Sequence, residues 1–172
     1  MTAIDQIQIK YHAAADRLLL RISTTGATEF RFWLTRRFVK SAWPILIESL
    51  ARTPHMTVAA SPLARRELLA FEHERATTGA DFSIPFRDSN PQLPMGPEPV
   101  VVVKLKIRPA TDVRGCIIAL IPELGRGIEL TLTENLLHSF CALLARVLAT
   151  TDWGIECSLR APSSRSIGAT LN

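Results

Sequence analysis

The chain has 172 residues, of which 47% are hydrophobic and 21% charged, with a formal net charge of +4. That length holds one domain or two small repeats around a shared core, and the charge fraction argues against wholesale disorder or a coiled coil. No stretch approaches the roughly 18 uninterrupted apolar residues of a membrane span, and the start, MTAIDQIQIKY, lacks a basic segment followed by an apolar run. The expectation is a cytoplasmic protein with no membrane association. Cys116, Cys141 and Cys157 are odd in number and show no CxxC spacing, which argues against a disulfide framework or a zinc ribbon.

Alternation in IDQIQIK predicts a strand over about 4–11, with Ile4 out of phase with Ile7 and Ile9. RLLLRIS then places Leu18, Leu20 and Ile22 on one face. TTGAT supplies a Gly-containing hairpin loop, and EFRFWLT puts Phe30, Phe32 and Leu34 inward with Glu29, Arg31 and Trp33 outward. Thr35 is a candidate N-cap for a helix over about 36–51, in which Pro44 predicts a kink or a later start.

Between about 53 and 99 the texture changes. Ser61 and Pro62 read as the N-cap and first residue of a helix to about 77, whose partial apolar stripe of Leu63, Leu68, Leu69 and Phe71 suits a surface position. Residues 81–99 hold prolines at 85, 91, 94, 97 and 99, with Phe82, Ile84 and Phe86 as apolar anchors. That composition predicts a linker with one short edge strand.

Shifting the sequence by 98 positions aligns the first pattern with a second one beginning near Val100. Ile7 and Ile9 then fall on Leu105 and Ile107, and Leu18, Leu20 and Ile22 on Cys116, Ile118 and Leu120. Phe30, Phe32 and Leu34 meet Ile128, Leu130 and Leu132, and Thr35 meets Thr133. Holding register through two turns and into a helix cap without a gap predicts an internal duplication. The fold class is therefore α+β. The expected arrangement is a single domain over 1–157, with βββα repeats at 4–52 and 100–150 and the helix and Pro-rich linker between them. The tail, 158–172, reads as loosely ordered.

The basic excess belongs to the first repeat, since residues 1–52 carry eight Lys or Arg against four Asp or Glu. The strand phase gathers Arg17, Arg21, Arg31 and Trp33 on its outer face, with Arg36, Arg37 and Lys40 at the helix start. Cations around an exposed aromatic suit single-stranded nucleic acid, charge for the phosphates and a π face for a base. A solvated sheet face has the same composition. The equivalent face of the second repeat shows Ile117, Ala119 and Ile121, which with Leu19 read as an oligomer interface covered by the middle segment or a second chain.

His138 and Cys141 stand at i, i+3 on the last helix with Cys116 facing the same core. Their strand and helix core positions read as packing, so no metal or cofactor is expected. No GxSxG elbow, GxGxxG or P-loop occurs, and His73 lies between Glu72 and Glu74, whose side chains point elsewhere. The sequence reading is thus a non-enzymatic interaction or assembly protein acting as a homodimer. A single-strand nucleic-acid binder is the alternative, and a small-ligand protein or enzyme with a pocket between the repeats comes third.

RLLLRISTTGATEFRFWLTRRFVKSAWP, ARRELLAFEHERATTGADFSIPF and ELTLTENLLHSFCALLARVLATTDWG resemble a group of small proteobacterial proteins to which no activity is attached. In architecture alone, a doubled strand meander plus helix is similar to the Whirly and Pur-alpha proteins, which bind single-stranded nucleic acid on their sheets. Each repeat here shows three strands where those families have four. No motif of either family is present, so no binding residue is carried over.

Overall fold

The computed structural model describes residues 3–52, 61–78, 84–87 and 90–157. Phe82 and the tail beyond Cys157 lie outside them. Three strands, β1 (Ile4–His12), β2 (Arg17–Thr24) and β3 (Glu29–Thr35), lead into α1 (Arg36–Ala51). The middle helix α2 (Pro62–Thr78) follows, then β4 (Val100–Pro109), β5 (Gly115–Pro122), β6 (Ile128–Thr133) and α3 (Glu134–Leu148). All six strands form one mixed sheet in the order β1-β2-β3-β4-β5-β6. The halves join by a short parallel contact, Phe32 beside Val100 and Trp33 beside Val101.

The 98-residue offset holds in the hydrogen-bonded geometry. Ile9 pairs with Leu20 and Ile107 with Ile118; Leu20 pairs with Phe32 and Ile118 with Leu130. A bulge between Ile4 and Gln6 reappears between Val102 and Lys104, and it accounts for the broken phase of Ile4. Both helix starts are capped alike. Thr35 Oγ1 accepts from the Phe38 N–H at 3.2 Å and Thr133 Oγ1 from the Leu136 N–H at 3.3 Å.

Period-two alternation puts Leu18, Leu20, Ile22, Cys116, Ile118 and Leu120 on one face, where all are buried. Against that face lie Val39, Trp43, Leu46 and Leu50 of α1 and Leu137, Phe140, Leu144 and Leu148 of α3 in one apolar cluster. Each such side chain contributes on the order of 1.5–3 kcal/mol on burial. Pro44 neither delays nor ends α1, which runs unbroken through it; the proline ring sits on the exposed side, away from the core stripe. Helix α2 buries Leu69 alone and leaves Leu63 and Phe71 exposed, the surface position its weak stripe implies.

The described residues of the linker, 84–87 and 90–99, depart from expectation. Ile84–Arg87 forms no strand, and its neighbourhood contributes one isolated bridge, Gln92 beside Thr28. Pro85 removes an N–H from the first stretch, and four prolines among residues 91–99 do the same for the second. No helix among the described residues is long and apolar enough to cross a membrane.

Candidate functional site

On the outer face of the first half, the structure brings Arg21 and Arg31 together, but around an acid. Arg21 Nε and Arg31 Nε each donate to Glu29 Oε1 at 2.7 Å, and Arg21 Nη2 reaches Oε2 at 3.1 Å. Glu29 is 2% exposed. Burial alone would raise its carboxyl, but the hydrogen bonds and charges of the two guanidiniums outweigh it and hold the group below its ordinary value. Phe86 lies over the Arg21 guanidinium at 4.1 Å, and Arg31 Nη1 donates to the Pro97 carbonyl at 3.3 Å. The Glu29 N–H also donates to the Gln92 carbonyl, so described residues of the proline-rich segment lie against the outer face of this half.

Strand alternation in the sequence places Glu29 outward correctly but carries no sign of that cover, which comes from residues 57 to 68 positions away. Trp33 is half-buried with its ring edge-on to His12 at 5.6 Å. Arg17 is half-buried at the start of β2, while Arg36, Arg37 and Lys40 are exposed on the first turns of α1.

Leu19, Ile117, Ala119 and Ile121 are half-buried on the outer face. Arg108 and Glu129 pair at 3.0 Å among them, opposite Ile117 and Ala119 in the strand register, and both are more than half exposed.

A second cluster joins α2 to α3. His138 is wholly buried and its Nδ1 lies 3.2 Å from Nδ1 of His73. His138 Nε2 has no hydrogen-bond partner. Burial and the neighbouring His73 push the His138 pKa down to about 4, and burial lowers that of His73. Both rings are therefore neutral at pH 7, one tautomer donating to the other. Burial raises the Cys116 thiol to about 11 and that of Cys141 to about 12, and no group of three metal-ligating side chains occurs among the described residues.

One opening that sequence reasoning missed runs along β1. This nine-residue strand is one edge of the sheet, β6 being the other, and a 480 Å³ slot follows it from Ile4 to Lys10. Leu136, Ser139, Phe140 and Leu143 of α3 line the inner flank; Ile84 and Phe86 line the outer. Gln6 fixes that outer flank, its Nε2 donating to the Pro85 carbonyl and its Oε1 accepting the Arg87 N–H. A 530 Å³ slot between β4 and α1 uses the matching positions Phe38, Ser41, Ala42 and Ile45. Each slot therefore sets the opening strand of one half against the helix of the other.

Comparison with protein-family models, curated proteins and solved structures found no match.

Proposed function

We propose that the chain arose by internal duplication and works as a non-enzymatic assembly protein, a homodimer built by pairing two β1 edges. The observation that carries this reading is the open slot along β1, flanked by apolar side chains on both sides. An edge strand of this length presents unpaired N–H and C=O groups, which are a template for another strand.

The register supports self-pairing. The Gln6 N–H turns toward β2, where it donates to Ser23 Oγ at 3.1 Å, so alternation directs the N–H groups of Ile7 and Ile9 to the open edge. Antiparallel pairing about Gln8 sets Ile7 of one copy opposite Ile9 of the other on the helix side. Lys10 then faces Gln6 and not another lysine, so no like charges oppose. A two-fold contact of this kind closes on itself, continues the sheet and brings the two α3 helices together at Ser139 and Leu143.

The edge is favoured over the outer face around Ile117 and Ala119, because covering that face would desolvate the exposed Arg108–Glu129 pair. It is favoured over nucleic-acid binding because Arg21 and Arg31 are engaged by Glu29.

Light scattering on a sizing column tests the proposal. The protein elutes at twice its 19.0 kDa mass, and Ser139→Arg, which crowds the slot without removing a core contact, elutes at the single mass with unchanged circular dichroism. A wild-type monomer at every concentration overturns it.

A further inference from the structure

Beyond Val101, β4 pairs with no strand on its β3 side among the described residues. The two strands meet where Phe32 lies beside Val100 and Trp33 beside Val101, and β3 then ends in the cap of α1. On the other side, Ala110 donates its N–H to the Gly115 carbonyl. Alternation therefore turns the N–H and C=O groups of Lys104, Lys106 and Arg108 toward β5, and those of Leu105 and Ile107 toward the α1 side. The 530 Å³ slot lies along this edge, and two exposed apolar side chains line it, Ile45 at 39% and Val103 at 53%.

We propose that this edge takes up an extended peptide of alternating apolar and acidic side chains, supplied by another protein and added to β4 as a strand. The alternation follows from the pleat. One set of side chains on an added strand turns toward Phe38, Ala42 and Ile45, and the other toward the outer face, where Lys104 and Lys106 stand roughly 6.6 Å apart along β4. The acidic character follows from charge. Arg37 and Lys104 line the slot with no acid beside them, and neither has an ion-pair partner among the described residues. A second copy of the chain is a poor occupant. Antiparallel pairing of two β4 edges about Leu105 sets Lys104 opposite Lys106, and pairing about Ile107 sets Lys106 opposite Arg108, like charges in both registers. The β1 edge has no such bar, because the offset of 98 puts Gln6 and Gln8 where β4 has Lys104 and Lys106, and Asp5 where it has Val103. Equivalent edges of the two halves thus select different partners.

Fluorescence anisotropy with the full chain and a labelled peptide alternating valine and glutamate provides the test. The controls are a peptide alternating valine and lysine, and one in which the same valines and glutamates stand in two blocks. The alternating acidic peptide binds at least about tenfold more tightly than either control. The Leu105 and Ile107 amides exchange more slowly when it is bound. Ser41→Trp, which crowds the slot from an exposed position on α1, abolishes binding with unchanged circular dichroism. Replacing the exposed Lys104 and Lys106 together by glutamate moves the preference to the lysine peptide. Ser139→Arg, at the β1 slot, leaves peptide binding intact, so failure of β1 pairing and failure of this site are told apart. No binding of the alternating acidic peptide at millimolar concentration overturns the proposal. Equal binding of the acidic and lysine peptides does so too, as does binding that survives Ser41→Trp. Tighter binding of a single-stranded oligothymidylate of equal charge would assign the cations to nucleic acid and refute the peptide site.

Discussion

Trp153, five residues beyond the last helix, donates its indole N–H to Asp16 in the first hairpin at 2.6 Å. The contact spans 137 positions and fastens the end of the second half onto the start of the first. The same carboxylate accepts from Tyr11 Oη at 3.0 Å. Those two hydrogen bonds, the indole's first, hold the Asp16 carboxyl below its ordinary value. Trp153→Ala removes a buried ring and is expected to cost about 3–5 kcal/mol in urea unfolding. Trp153→Phe keeps most of the ring and loses less; equal losses for the two would show that the ring's burial contributes little.

Glu29 is where the outer face is fixed. With Glu29→Ala, Arg21 and Arg31 lose a shared buried partner, and unfolding free energy should fall by roughly 2–3 kcal/mol. Because the folded carboxyl titrates below its ordinary value of 4.5, its contribution is present above that pH and is lost as the pH falls through the folded pKa. Thermal melts in acid therefore separate wild type from Glu29→Gln less than melts at pH 7 do.

The histidine pair sets a second acid dependence, at higher pH. His138 titrates at about 4 when folded against an ordinary 6.5, so protons bind the unfolded chain more readily. Stability is full above pH 6.5 and declines progressively toward pH 4. His73, Glu72 and Arg75 of α2 face the same ring, and protonation would set charge against charge between His138, His73 and Arg75. His138→Leu should flatten the decline between these limits, as read by denaturant midpoints across pH. An unchanged slope would assign the dependence to other groups.

Gly115 departs from the likeness of the halves, since Arg17 occupies its counterpart. A Cβ placed there would lie 2.0 Å from the Leu132 carbonyl oxygen, inside a backbone contact that has no flexible side chain to give way. Gly115→Ala is expected to destabilise by roughly 3 kcal/mol or to push β5 away from β6. A melting temperature equal to wild type would contradict the close approach.

The strands, the caps and the 98-residue relation were legible because each depends on local alternation or on Thr35 and Thr133 standing before apolar runs. The parallel contact of Phe32 and Trp33 with Val100 and Val101 was not, because both strands have the same pattern whether two sheets merge or stack. Single-strand phase correctly puts Arg21 and Arg31 on the outer face, yet it says nothing of Phe86 or Pro97, which reach them from a proline-rich segment without periodicity. Trp153 follows a helix in a short turn, where no pattern distinguishes a buried ring from an exposed one. The slot along β1 depends on which strand is left at the edge, and that is settled only once all six have been placed.

Hydrogen exchange along β1 at two protein concentrations tests the assembly proposal most directly. If two β1 edges pair about Gln8, the amides of Ile7 and Ile9 exchange more slowly as concentration rises, and Ser139→Arg abolishes the change while leaving β5 amides protected. Exchange at Ile7 and Ile9 that is fast and independent of concentration would contradict it.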